Sequence, residues 1–165
     1  VKRAAAVLML ALLVGCQPQG EPSRGLAVVV DVIDGDTLTV DTAEGERVRV
    51  RMLGIDAPEE AKDGTPAECG ASEAKEALAA LVDDRQVGLT ADSRSDVEDR
   101  YGRRLAYVDV DGLDVGAALI QAGWAAAWHP RSAVEPERGP SYQKAQKRAQ
   151  AAGSGLWSTC PTVGR

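Results

Sequence analysis

Residues 46–52 read Glu-Arg-Val-Arg-Val-Arg-Met, an alternation that only an extended backbone satisfies. Successive side chains of a strand point to opposite faces, so Arg47, Arg49 and Arg51 share one face and Val48, Val50 and Met52 the other. A helix would scatter both sets around its axis. The segment is therefore a strand with one buried face, and the fold that contains it has a β core. Residues 26–33 are apolar and rich in β-branched side chains, Asp34-Gly35 is a hairpin-turn signal, and 37–40 resume as a strand. These three strands read as a meander.

Two more strands are expected at 86–90 and 104–110, separated by the charged stretch 92–100. Helical spacing appears three times. Ala74, Ala77, Leu78 and Leu81 mark a helix over 73–81, a second runs from 113 to 122 and stops at Gly123, and a third covers 142–152 before Gly153.

The start of the chain reads as an address. Lys2 and Arg3 precede an apolar run over 4–14 that is too short for a stable membrane span. It ends in Leu13-Val14-Gly15-Cys16, which resembles a bacterial lipobox and implies cleavage before Cys16 and lipidation of that residue. Acyl chains at about 0.8 kcal/mol per buried methylene would hold the product on a membrane surface. Residues 1–15 are thus expected to be a lipoprotein signal peptide. Residues 16–25, rich in Pro, Gly and polar side chains, are expected to be a flexible tether. Residues 26–165 then form one domain, exported and lipid-anchored on the periplasmic or extracellular face.

Export sets the expectation for the remaining cysteines. Cys69 and Cys160 are left as a pair in an oxidising compartment, where a disulfide is favoured over two buried thiols. No Cys/His spacing points to zinc. The 19 basic and 25 acidic residues argue against a protein that coats nucleic acid, but allow a local, transient contact and suit a site that gathers a cation. Nothing in the sequence calls for an obligate protein partner, so a monomer is expected.

Chemistry-bearing residues fall in short clusters. Asp36 comes after a tight turn, and Asp56 lies just past the third strand, with Pro58 stiffening the loop beyond it. Two carboxylates with a backbone carbonyl and waters suit Ca²⁺, a hard cation with flexible oxygen coordination. Taken alone, Asp34, Asp36 and Asp56 serve as well for turns and caps. Glu59 is an acid that can handle a water, and the guanidinium forks of Arg51 and Arg103 can grip phosphate oxygens.

The ordered set Val32-Ile33-Asp34-Gly35-Asp36-Thr37, Arg51-Met52-Leu53-Gly54-Ile55-Asp56-Ala57-Pro58-Glu59, Asp99-Arg100-Tyr101-Gly102-Arg103-Arg104-Leu105-Ala106-Tyr107 and Gly155-Leu156-Trp157 resembles the staphylococcal nuclease (thermonuclease) family. The resemblance implies an α+β fold, a five-stranded OB-type Greek-key β-barrel with about three packed helices. It implies calcium held by Asp36, Asp56 and the carbonyl of Ala57, which replaces a threonine often found there. It also implies Arg51, Glu59 and Arg103 as catalytic residues and Tyr101 as a phosphate contact. Asp34 is left to turn chemistry, Arg47 and Arg49 to a solvated face, Trp157 to the core, and Lys144, Lys147 and Arg148 to the solvated side of the last helix. Trp124 and Trp128 fall where the family's base-stacking aromatics occur.

The implied activity is calcium-dependent hydrolysis of DNA, RNA or both, with little sequence preference, by in-line attack of water. The alternative is a catalytically silent nucleic-acid- or protein-binding barrel on the cell envelope. Degenerate barrels are expected to lose acids or arginines, and this chain keeps Asp36, Arg51, Asp56, Glu59 and Arg103.

Overall fold

The computed structural model describes residues 25–164, so the expected signal peptide, Cys16 and the tether through Arg24 lie outside the described residues, while Gly25, expected to end the tether, opens the first strand. Its elements, in chain order, are β1 (Gly25–Val32), β2 (Thr37–Thr42), β3 (Arg47–Met52), β4 (Ile55–Asp56), α1 (Ala71–Val82), β5 (Gln86–Thr90), β6 (Arg104–Val110), β7 (Leu113–Asp114), α2 (Val115–Ala122), β8 (Ala126–Ala127) and α3 (Gly139–Ala152), and then a 3₁₀ turn, Gly155–Ser158.

β1 pairs antiparallel with both β2 and β5, β2 with β3, and β5 with β6. The circuit closes through a parallel pairing of β3 with β6, in the register Val50↔Arg104, Arg51↔Leu105 and Met52↔Ala106. This is a closed five-stranded barrel of OB type with three helices, as the resemblance implied. Closure removes free edges from the barrel, and it sets the entry to β6 beside the strand that carries Arg51.

The strand alternation fills the interior with Leu38, Val40, Val50, Met52, Val87, Leu89, Val108 and Val110, all buried. In β1 the register slips between Val29 and Asp31, a bulge that moves the inward set from Ala27 and Val29 to Val32. The run Val28-Val29-Val30 ahead of the slip gives no hint of that change of parity. α1 presses Ala71, Ala74, Leu78 and Val82 inward, so its buried stripe is rotated from the expected one and Ala77 and Leu81 lie at its edge.

Elements differ from the sequence reading in their bounds and in one added ladder. Residues 113–114 are a short strand and α2 starts at Val115, because Asp114 caps it by accepting from the Ala117 amide at 2.9 Å. α3 starts at Gly139, since Pro140 fits a first helical turn. The ladder of β4 with β8 is two residues long, too short to leave a periodic signal. Trp157, expected in the core, is only partly buried, and its Nε1 is enclosed without a hydrogen-bond partner; Leu156 is the buried residue there.

Candidate active site

The Asp34-Gly35 turn is not the hairpin type its sequence suggests. Neither residue takes a positive φ; instead the Asp34 carboxylate accepts from the Asp36 amide at 3.0 Å. Gly35 is needed for proximity. A Cβ there would stand 2.6 Å from the Ala57 Cβ and 2.8 Å from the Ala74 Cβ. The turn, the segment after β4 and α1 therefore meet through a glycine and two alanines, and this close approach brings Asp36 to Asp56.

Asp36 is 2% exposed. Its Oδ2 accepts from the Ala57 amide at 2.8 Å and lies 3.0 Å from the Arg51 NH2, while its Oδ1 accepts from the Thr37 hydroxyl at 2.9 Å. The same Arg51 nitrogen donates to Asp56 Oδ1 at 2.9 Å. Arg51 NH1 donates to the carbonyls of Met52 at 2.8 Å and Ile55 at 2.9 Å. Arg47 and Arg49 on the same strand are exposed, as expected for a solvated row. Arg51, at 8% exposure, departs from that row because its guanidinium bonds the carbonyls of Met52 and of Ile55, the first residue of β4, and the two acids.

One guanidinium thus serves two buried carboxylates, with Asp34 close by. Burial pushes the Asp36 carboxyl up to about 7; Arg51 pulls it down, and Asp34 and Asp56 add to the rise. The site carries more negative charge than Arg51 balances, and its donors are hard oxygens. Among the described residues no three His, Cys, Asp or Glu side chains are grouped to hold a metal by themselves. An ion here would rely on Asp36, Asp56, the Ala57 carbonyl and waters, a set that fits Ca²⁺ and does not fit zinc.

Glu59 comes after Pro58, on the way out of the buried segment, and is partly exposed. Its backbone is clasped by Glu68: the Glu59 amide donates to Glu68 Oε2 at 3.0 Å, and the Glu68 amide donates to the Glu59 carbonyl at 2.9 Å. The Cys69–Cys160 disulfide forms next to this clasp, which decides between the two expectations for the cysteines.

Arg103 and Tyr101 form a second cluster, on the loop that enters β6. In the β3–β6 register Arg103 stands two residues before the partner of Arg51, about 7 Å along the strand. Asp99 orders this loop. It accepts from Arg103 Nε at 2.7 Å, from the Arg103 amide at 3.0 Å and from the Tyr101 amide at 2.9 Å. Burial acts to raise the Asp99 carboxyl, but the bonds from Arg103 and Tyr101 outweigh it and hold it below the ordinary value. Tyr101 is 60% exposed, with the Arg100 and Arg103 guanidinium carbons 4.7 and 5.5 Å from its ring centre. Lys144, Lys147 and Arg148 are solvent-facing, and Trp124 and Trp128 are partly buried.

The family model described as staphylococcal nuclease homologue matches residues 49–159. The chain belongs to the staphylococcal nuclease family. It is 35% identical over 130 residues to a thermonuclease of Staphylococcus hyicus, covering 79% of this chain and 74% of the relative. It is 32% identical over 152 residues to an uncharacterized endonuclease of Haemophilus influenzae, covering 92% and 75%. An uncharacterized Bacillus anthracis protein is 32% identical over 133 residues, and this chain covers 59% of its length. The matched range of the nuclease family model takes in Arg51, Asp56, Ala57, Glu59, Tyr101 and Arg103 and begins after Asp36.

The sequence reading of this nuclease-family chain gave no role to Asp99, Glu68 or Thr37. Asp99 had a legible signal: an acid four residues before an arginine, with Gly102 between them, is the pattern of a side chain closing its own loop. Glu68 had none, because its partner is fixed only by the path of the intervening loop.

Proposed function

We propose that the chain is a calcium-dependent nuclease that hydrolyses phosphodiester bonds of DNA, RNA or both with little sequence preference. As a member of a metal-dependent nuclease family it acts on nucleic acid. The observation that carries the calcium reading is the convergence of Asp36 and Asp56 on one Arg51 nitrogen, with the Asp36 carboxyl pushed up to about 7 by burial. Bound calcium would neutralise these carboxylates and polarise the phosphate.

The chain's own groups do the rest. Glu59 orients the attacking water or accepts its proton, and the water oxygen displaces the 5′ oxygen in line at phosphorus. The leaving oxygen takes up a proton, so the ends formed are a 3′-phosphate and a 5′-hydroxyl. Arg103, oriented by Asp99, holds a phosphate oxygen as charge builds on it. Arg51 bonds two carboxylates and two carbonyls, so its grip on a phosphate requires it to release a carboxylate. Tyr101 is exposed, with its hydroxyl held by Arg100 NH2 at 2.6 Å, and it would lie along the backbone of the substrate beside the two arginines.

We further propose that the protein is exported, lipidated at Cys16 and held on the envelope as a monomer. The lipobox-like sequence and the Cys69–Cys160 disulfide support this reading. Loss of palmitate labelling on Cys16→Ser is the check, and equal labelling of both proteins would refute lipidation at that residue.

The central test is cleavage of labelled single-stranded DNA by the purified full chain, in calcium and in excess EGTA. Cleavage that stops in EGTA is the expected result. No cleavage by protein shown to be folded would favour the silent binding barrel.

A further inference from the structure

The last described residues return to the site. Beyond the 3₁₀ turn, Cys160 is bonded to Cys69, 91 residues earlier, and Cys69 comes directly after the Glu68 that clasps Glu59. From this covalent root the chain continues through Pro161 and Thr162 to Val163, which is 3% exposed. Gly164 then lies against Asp56. A Cβ built on Gly164 would stand 2.7 Å from the Asp56 carbonyl oxygen and 2.9 Å from its Oδ2. The residue also has φ +64°, so its backbone and its surroundings both demand glycine. A disulfide root, an apolar anchor and a fitted glycine together describe a seated segment.

We propose that residues 161–164 form a strap that covers Asp56 and competes with the cation and the phosphodiester for entry. The proposal rests on Asp36 and Asp56 being cation ligands. Arg51 holds Oδ1 of Asp56, and the strap lies against Oδ2 of the same carboxylate. A cation bound through Oδ2 needs the space the strap occupies. The disulfide fixes where the strap starts, and burial of Val163 sets how firmly it closes. Binding at the site is then drawn only from the fraction of molecules with the strap raised. A strap seated nine-tenths of the time weakens apparent affinity about tenfold.

The test is calorimetric titration of the full chain with CaCl₂, beside Gly164→Val, whose side chain cannot enter, and Val163→Ser, which loses the apolar anchor. Both variants are expected to bind one calcium about tenfold more tightly than the unaltered chain, with binding lost in Asp56→Asn. Equal affinity in all three strap forms would overturn the strap and leave the cation site standing. No binding in any form would overturn the cation site and the strap with it. Hydrogen exchange of the unaltered chain decides independently of variant folding. Faster exchange of the Thr162, Val163 and Gly164 amides on adding calcium supports the strap, and unchanged exchange there refutes it.

Discussion

Asp36 provides the sharpest test of the site. Its carboxyl is pushed from 3.8 to about 7 by burial, so the folded protein holds a proton there that the unfolded chain releases. Stability falls with pH wherever the folded state binds more protons. The loss from this group therefore begins near pH 4, grows as pH rises and is complete above pH 7. At about 1.4 kcal/mol per unit, the ionised carboxylate costs about 4 kcal/mol, of which about 2 to 3 kcal/mol falls between pH 5 and pH 8. Asp36→Asn removes the ionisation. Its amide oxygen can still accept from the Ala57 amide, while the ion pair with Arg51 is lost. The raised carboxyl already sets burial against the Arg51 ion pair, so the variant gains up to about 4 kcal/mol at pH 8. The assay is urea unfolding in EGTA at pH 5 and pH 8 for wild type and variant. Wild type should weaken over this range relative to Asp36→Asn, and the variant should be the more stable protein at pH 8 while lacking nuclease activity. Equal stability at pH 8, or parallel pH dependence in the two proteins, would refute the argument that Asp36 is a strained, under-compensated carboxylate.

The remaining predictions concern single groups. Glu59→Gln should lower turnover at least about 100-fold with an unchanged melting temperature, read by DNA cleavage and circular dichroism. Arg51→Lys and Arg103→Lys keep charge but lose the planar fork, so both should cut kcat about tenfold or more; wild-type rates in both would show the clamps to be misassigned. Asp99→Ala should mimic much of the Arg103→Lys defect without touching calcium affinity, since it releases three hydrogen bonds that order the Arg103 loop. Replacing Cys69 and Cys160 by serine opens a loop of 91 residues. The loop-entropy model puts its loss at about 4 to 5 kcal/mol, or roughly 12 °C in melting temperature.

The strands were legible because each buries one face, and that requirement writes itself into alternation, as in Val48, Val50 and Met52. The bulge in β1 was not, because Val28, Val29 and Val30 are chemically alike and only the register with β2 separates inside from outside. Asp114 illustrates a different limit. Its residue type suits the N-cap bond it accepts from the Ala117 amide, yet its bonds to the Tyr142 hydroxyl and to Arg138 join parts of the chain that sequence proximity does not connect. At the candidate site, the residue set was readable through an ordered resemblance, whereas its internal state was not. Nothing in the sequence says that Arg51 is buried and bonded to two acids and two carbonyls, since that depends on how the chain turns after β3 to bring the Ile55 carbonyl and Asp56 back to it.

That internal state bears on why the site is built from such small neighbours. Gly35, Ala57 and Ala74 let the Asp36 turn, the β4 exit and α1 approach until their Cβ positions nearly touch. This packing excludes water from Asp36 and raises its carboxyl, which costs stability in the cation-free protein. Larger residues at these positions would open the contact, hydrate the carboxylate and relieve the cost. They would also separate Asp36 from Asp56 and remove the concentrated negative charge that a cation would neutralise. The cost of burying Asp36 and the cation binding proposed for it therefore have one origin, the close approach at Gly35. Gly35→Ala should disturb both together, lowering calcium affinity while lessening the pH dependence of stability that Asp36 confers.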